Sequence, residues 1–339
     1  MLPARFVRRI RRCSVRADLA GALLGLYAAV GCAARSAPVP VVMTDVEAAP
    51  SQGAAPEAEA AMKARPLSPE ERALVEPLER DMARLTSFGV PNLASPLTLA
   101  TLTDDLALQL EALGYEVRRG GFLAEEAALM NLEVVVPGRE RGHQNIVLGA
   151  HFDVKAEASA RHDSASSVAL LLSVARWLVQ RRPLRTLRLV WFSNDGQGER
   201  AAEHTGSYEY AKGARIEGRE ISLVIYLDSL GQSSRSRRLR VISHASAQVL
   251  QPGVLRALEQ SAFFRPTTTI FDELDEGPPA GHLSFVHFGY AALLLTDEAA
   301  SKPGVNPEVL ARIAAVLPRV LEQLAGPFQD VAPRAAAAP

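Results

Sequence analysis

The chain has 339 residues, of which 48 % are hydrophobic and 22 % are charged, and its formal net charge is −1. These values are ordinary for a globular protein and give no basic field that would favour nucleic acid. Its two cysteines, Cys13 and Cys32, lie near the amino terminus, so we expect neither disulfides nor thiolate metal sites in the body of the protein.

The first 32 residues have the features of an export signal. Six arginines between Arg5 and Arg16 precede an apolar stretch, Leu19 to Val30, that is short for a membrane span. Small residues then lead to Cys32, as in the cleavage box of a bacterial lipoprotein. We expect residues 1–32 to be a signal peptide and Cys32 to carry a lipid that anchors an exported protein to a membrane. An ordinary secretory signal is the alternative.

A folded domain is predicted over residues 68–326. Residues 33–67 are rich in Ala, Pro, Glu and Ser and lack apolar periodicity, which predicts a disordered linker. Ser68 followed by Pro69 is typical of a helix start, with an N-cap and a proline at the first helical position. Residues 327–339 are predicted to form a disordered tail.

Local sequence patterns predict several helices and strands at the two ends of this domain. Thr103 to Leu113 predicts a helix, and Tyr115–Arg118 and Asn131–Val136 predict strands. Val309 to Leu324 has apolar residues at helical spacing and predicts a closing helix. Pro318 lies inside that stretch and should kink or divide it.

Three apolar runs in the middle of the domain resemble buried strands and lead to residues that can bind metal. The run from Ile146 to Ala150 is followed directly by His151 and Asp153, and Asp163 comes ten residues after Asp153. Strands buried on both faces read as continuous apolar runs, and open α/β sheets gather their ligands at the carboxyl ends of such strands. Histidine and carboxylate side chains are ligands for zinc.

The other two runs end in the same way. The run from Leu187 ends at Asp195, and the run from Ser222 reaches Asp228. Each lone aspartate could instead cap a helix or form a turn, and Asp163 in particular could cap a helix from Ser166 to Val179. A further histidine, His282, is predicted in a loop before a last apolar strand.

The ordered set of motifs resembles metallopeptidase family 28, the family of bacterial di-zinc aminopeptidases, with glutamate carboxypeptidase and glutaminyl cyclase as relatives. The resemblance runs from Ser68 to Glu298 through HFD, HDSASSVALLLSVAR, WFSND with EHTGSYEYA, LDSLG, and GHLSF with GYAALLLTD. It implies a three-layer α/β fold, in which a mixed and mostly parallel sheet has helices on both faces. It also implies zinc as cofactor and a peptide as substrate.

The resemblance assigns a role to each of the motif residues. A first zinc would be bound by His151, Asp163 and Asp228, and Asp163 would bridge to a second zinc bound by His282. Asp153 would support His151 from behind. Asp195 stands where the family has a glutamate that acts as general base.

Two departures from the family pattern bear on function. Gly196 stands where a second glutamate would bind the second zinc, and Gly281 stands where an aspartate usually precedes His282. The first zinc site therefore keeps three protein ligands, enough for a catalytic zinc, while the second is incomplete. We expect a divergent zinc aminopeptidase; the alternatives are a weak or inactive relative that acts as a binding protein, and another amidohydrolase or cyclase.

Overall fold

An eight-stranded mixed sheet forms the centre of the domain. The computed structural model describes residues 65–154, 161–196, 203–231, 238–261, 263–274, 280–297 and 304–331, without the side chains of residues 161–163. The predictions for residues 1–32 and for most of the linker lie outside these ranges. Within them, no helix is long and apolar enough to span a membrane.

The helices of the described ranges are α1 Pro69–Ser87, α2 Pro96–Ala112, α3 Arg161–Leu178, α4 Gly206–Ile216, α5 Gln251–Glu259, α6 His282–His287 and α7 Pro307–Ala325. The strands are β1 Val117–Ala124, β2 Ala127–Val136, β3 Arg141–His151, β4 Arg181–Arg182, β5 Arg185–Phe192, β6 Ile221–Leu227, β7 Arg238–His244, β8 Arg265–Phe271, β9 Ala292–Asp297 and β10 Gln329–Asp330. The large sheet has the order β1-β2-β5-β3-β6-β9-β7-β8, and β4 pairs with β10.

The four central strands, β5, β3, β6 and β9, run parallel to one another, and β2 and β7 flank them antiparallel. Chain order and strand order diverge at β3, because the next parallel strand along the chain lies on one side of it and the following one on the other. Ligands of open α/β sheets bind at such a switch point, outside the carboxyl ends of the strands. The predicted site residues follow these ends.

Two hydrophobic cores lie on opposite faces of the sheet. Alternate residues of a strand point to opposite faces, and Leu148 of β3 packs into the core of α1, α2, α3 and α7, whereas its neighbour Val147 packs into the other core. That second core contains Ala211 of α4 and Phe285 of α6. The predicted fold class, a three-layer α/β domain with a mixed, mostly parallel sheet, is confirmed.

Helix α1 begins where the sequence predicts. The Ser68 hydroxyl accepts a hydrogen bond from the Glu71 amide at 3.1 Å, and the Glu71 carboxylate accepts one from the Ser68 amide at 2.8 Å. Burial raises the pKa of Glu71, but hydrogen bonds from Arg65 and Ser68 and the charge of Arg312 outweigh burial, and the pKa is lowered. The helix start therefore also carries a buried ion pair.

Four local predictions differ from the structure. Helix α2 begins at Pro96, seven residues before Thr103, because its apolar face already starts with the buried Leu99. Helix α7 continues through Pro318, so its predicted division is wrong; burial of one whole face offsets the lost hydrogen bond.

The two others concern ends of elements. His282 is the first residue of α6 and does not lie in a loop. The tail predicted from residue 327 begins in ordered structure, because β10 pairs with β4 and the Val331 amide donates to the Gln180 carbonyl at 2.9 Å. Residues 332–339 lie outside the described ranges, and the other domain boundaries remain predictions.

Candidate metal centre

His151 and Asp228 meet at the carboxyl ends of two neighbouring strands. His151 is the last residue of β3, and Asp228 directly follows β6, which pairs with β3 in parallel. The His151 Nδ1–H donates to the Asp153 carbonyl at 2.9 Å, and Nε2 lies 3.3 Å from Asp228 Oδ1. The imidazole is therefore held through one nitrogen and presents the other to a carboxylate.

The charges of this pair stabilise each other. Burial lowers the pKa of His151, but hydrogen bonds and charge from Asp153 and Asp228 raise it well above its usual value. Burial raises the pKa of Asp228, but His151 and the Ser229 hydroxyl outweigh burial and lower it. An anionic Asp228 beside a ring nitrogen is an arrangement that a cation can occupy.

The separation of His151 Nε2 and Asp228 Oδ1 agrees with two ligands of one zinc ion. Zinc bonds to imidazole nitrogen and carboxylate oxygen at about 2.0–2.2 Å in tetrahedral geometry, which puts two ligand atoms about 3.3–3.5 Å apart. The observed distance is 3.3 Å. The two donor types and their spacing thus fit a zinc ion.

Asp153 organises the end of β5. Its side chain is fully buried, and its two oxygens accept from consecutive amides, Asp195 N at 3.0 Å and Gly196 N at 2.9 Å. Its carboxylate lies 3.6 Å from His151 Nδ1, farther than its own carbonyl. The predicted support of His151 by Asp153 therefore comes through the main chain, while the carboxylate fixes the turn after β5.

Asp195 is held from two sides. The chain turns at Asn194, where φ is +63°, and Asp195 Oδ1 then accepts from the Ser207 amide near the start of α4 at 2.9 Å. Oδ2 accepts from the Tyr226 hydroxyl at 2.8 Å. Burial raises the pKa of Asp195 to about 6, with a contribution from Asp153 and against the hydrogen bonds of Ser207 and Tyr226.

His282 is buried, and neither ring nitrogen has a hydrogen-bond partner among the residues that the structure describes. Burial lowers its pKa to about 3, against the charge of Asp228. Buried polar atoms of native proteins are nearly always paired, so an imidazole with two unpartnered nitrogens is a candidate ligand. His282 lies near enough to Asp228 for the two groups to interact through their charges.

Asp163, the third predicted ligand of the first zinc, is the third residue of α3. Its side chain lies outside the described residues, so its role as a bridging ligand stays a prediction. Because α3 begins at Arg161, Asp163 lies in the first turn and does not cap a helix that begins at Ser166. Among the described side chains, no group of three His, Cys, Asp or Glu residues is arranged to hold a metal ion.

The middle of the domain matches a known family in sequence. Residues 131–297 match peptidase family M28, and this segment contains all six predicted site residues. The resemblance to peptidase family M28 is thereby confirmed over this segment. No curated protein is significantly similar to the chain in sequence.

Solved structures with the same fold include several exopeptidases. The LapA aminopeptidase of Legionella pneumophila is 13 % identical over 76 % of this chain and 74 % of its own, with a TM-score of 0.62. A Zn-dependent exopeptidase from Parabacteroides distasonis (17 %, 75 % and 98 %) and a glutaminyl cyclase from Bacteroides thetaiotaomicron (17 %, 73 % and 96 %) both have TM-scores of 0.57. At these identities the likeness concerns the fold. Together with the family it supports a peptidase-like hydrolase.

Both glycines that depart from the M28 pattern stand in filled space. A Cβ at Gly196 would lie 2.7 Å from the Asp153 carbonyl oxygen and 2.9 Å from its Oδ2. A Cβ at Gly281 would lie 2.4 Å from Asp195 Oδ2 and from the Tyr226 ring. The space at Gly196 is therefore filled by the main chain and carboxylate of Asp153, and the space at Gly281 by the side chains of Asp195 and Tyr226.

Tyr226 is a residue of the centre that the sequence did not single out. It lies on β6, two residues before Asp228, which directly follows the strand. In the run SLVIYLD a tyrosine looks like an ordinary core residue. Its contact with Asp195 joins residues 31 positions apart, and no local sequence pattern predicts such a contact.

Proposed function

We propose that the M28 domain is a zinc-dependent exopeptidase, an aminopeptidase that hydrolyses the amino-terminal peptide bond of peptides. The observation that carries the proposal is the contact of His151 Nε2 with Asp228 Oδ1 at 3.3 Å, at the switch point of an M28 fold. This separation fits two ligands of one zinc ion. It also fits a direct hydrogen bond between the two side chains, so the family positions of His151 and Asp228 are the second support for zinc.

His151, Asp228 and Asp163 would hold the first zinc, and His282 would belong to the second, incomplete site. Zinc, when bound, would supply a Lewis acid for the scissile carbonyl and for the attacking water. The Asp153 carbonyl keeps the proton of His151 on Nδ1, and so leaves Nε2 free to bind metal.

Asp195 is the residue placed to accept the proton of the attacking water. A carboxylate has about four lone-pair positions, and the Ser207 amide and the Tyr226 hydroxyl occupy two of them. The remaining positions keep Asp195 an acceptor. General-base help of this kind contributes about 10²–10⁴ in rate.

The alternative is a catalytically weak or inactive M28 domain that binds peptides. Two observations favour this alternative. Gly196 has no side chain that could bind metal, and both carboxylate oxygens of Asp153 already accept hydrogen bonds from main-chain amides. A different amidohydrolase or a glutaminyl cyclase on the same fold is a further alternative.

Purified protein tested with three substrate types separates these functions. Aminoacyl anilides report aminopeptidase activity, N-acyl amino acids report carboxypeptidase activity, and peptides with amino-terminal glutamine report cyclisation. We expect turnover of the aminoacyl anilides alone, lost with a chelator and restored by zinc. Turnover of another substrate type would replace the aminopeptidase by that activity, and absence of turnover in all zinc-loaded samples would leave the binding protein.

We also propose that the protein is exported and anchored to a membrane by a lipid on Cys32, which the basic and apolar segments before this cysteine support. Mass spectrometry of the mature amino terminus tests this. A lipid-modified Cys32 is expected, and an unmodified terminus at another residue would indicate an ordinary secretory signal.

A further inference from the structure

Tyr226 occupies a slot that crosses the central strand of the sheet. Its ring stacks on Phe192 of β5, with centroids 5.6 Å apart and planes within 6°, although β3 lies between the two strands. The β3 residue paired with Tyr226 is Gly149. A Cβ there would lie 2.3 Å from Phe192 Cε2, so the two rings meet only because this residue has no side chain.

A second glycine opens the other side of the slot. Gly281, at the start of α6, would bring a Cβ to 2.4 Å from the Tyr226 ring and from Asp195 Oδ2. Gly281 has φ −58° and ψ −20°, values that any residue adopts. The backbone therefore does not require glycine at this position. A larger residue is excluded because Tyr226 and Asp195 fill the space that its Cβ would take.

The hydroxyl of Tyr226 has a defined task in this slot. It donates to Asp195 Oδ2 at 2.8 Å, while the Ser207 amide donates to Oδ1 at 2.9 Å. The Asp195 amide is itself held by Asp153 Oδ1 at 3.0 Å. Among the described residues, Tyr226 is the donor that holds Oδ2 of Asp195, and Ser207 holds Oδ1.

We propose that Tyr226 is a positioning residue of the hydrolytic centre, which fixes the carboxylate of Asp195 through its hydroxyl in a slot made by Gly149 and Gly281. The proposal rests on the proposed function, in which Asp195 accepts a proton. Displacing a reacting group by about 1 Å can cost about 10²-fold in rate, so an unanchored carboxylate slows turnover without preventing substrate binding.

The chain contains a matched tyrosine outside the centre. Tyr210 on α4 is half-buried, and its hydroxyl donates to the carboxylate of Glu133 at 2.6 Å. Removing that hydroxyl disturbs a part-buried bond from a tyrosine to a carboxylate. Tyr210→Phe is therefore the control for a loss of stability alone.

The test compares the kinetics and zinc content of the wild type, Tyr226→Phe and Tyr210→Phe. We expect both variants to retain the zinc content of the wild type and to unfold at somewhat lower temperature. Only Tyr226→Phe should lose about ten-fold or more in kcat, with KM within about two-fold. Equal kcat values for the two variants would overturn the proposal.

A second comparison reads the contact itself without activity. In the metal-free protein, Tyr226→Phe should lower the unfolding temperature of the wild type. It should leave that of Asp195→Ala almost unchanged, because alanine has already removed the acceptor of the Tyr226 hydroxyl. Additive losses would overturn the proposal. Should Tyr226→Phe not fold, Tyr226→Met replaces it, because methionine fills the slot flexibly and lacks the hydroxyl: a retained zinc content with a roughly ten-fold loss of kcat supports the proposal, and unchanged kcat overturns it.

The outcomes separate this proposal from the proposed function. A wild type without zinc-dependent turnover overturns both. A wild type with zinc-dependent turnover that Tyr226→Phe leaves intact overturns the role of Tyr226 alone.

Discussion

Replacement of Gly196 by glutamate is the most informative perturbation of the centre. The resemblance to relatives with a glutamate at this position suggests that Gly196→Glu would add a ligand, raise the zinc stoichiometry towards two and improve turnover. The structure predicts the opposite. The new Cβ would lie 2.7 Å from the Asp153 carbonyl oxygen and 2.9 Å from its Oδ2, distances at which the Asp153 main chain must move.

The cost follows from two contributions. Overpacking against main-chain atoms costs about 1–3 kcal/mol. Loss of the charge-assisted hydrogen bond from the Gly196 amide to Asp153 Oδ2 costs about 1.5–3 kcal/mol. We therefore expect the free energy of unfolding to fall by about 2.5–6 kcal/mol. Since the Asp153 carbonyl also orients His151, zinc affinity should fall by about 10–100-fold.

Urea unfolding of the metal-free protein and zinc competition with a chelator measure these two effects. Gly213→Ala is the control, because a Cβ at Gly213 in α4 meets nothing within 4 Å; it should stabilise the domain by about 0.5–1 kcal/mol. A Gly196→Glu variant with wild-type stability and two bound zinc ions would refute the reasoning.

Three further predictions concern single side chains. Asp228→Asn should abolish bound zinc, as measured by elemental analysis, because it removes the charge next to His151 Nε2; unchanged zinc would disprove the assignment. Asp81→Asn, which weakens a part-buried two-bond ion pair to α3, should cost about 1–3 kcal/mol in urea unfolding, and Glu76→Gln in an exposed pair less than about 0.5 kcal/mol. The pKa of Glu71 is lowered on folding, so its contribution is present above its unfolded pKa of 4.5 and lost as pH falls through the folded value. Glu71→Gln should therefore flatten the loss of stability in acid, and an unchanged acid profile would contradict this.

The parallel centre of the sheet could be predicted from sequence because its strands are buried on both faces. Such strands form uninterrupted apolar runs, as from Ile146 to Ala150, and the polar residue that ends each run marks the edge where the sites lie. The pairing of His151 with Asp228 follows from this rule. It was the part of the site that needed no knowledge of loops.

The remaining contacts depend on long-range packing. Strand β8 is largely exposed and reads RPTTTIF, a polar run without the apolar signal of a buried strand. Asp153 accepts hydrogen bonds from two consecutive amides, and Asp195 accepts one from Tyr226. These bonds join segments that lie far apart in the sequence and meet only in the folded chain. Gly149 inside a strand is explained only by the ring of Phe192, which lies on another strand.

The most direct test of a zinc site at His151 and Asp228 is an anomalous difference map, recorded at the zinc absorption edge from crystals of zinc-loaded protein. The account predicts a peak about 2.0–2.2 Å from both His151 Nε2 and an Asp228 carboxylate oxygen. A map whose zinc peaks all lie beyond coordination distance of these two atoms would contradict it.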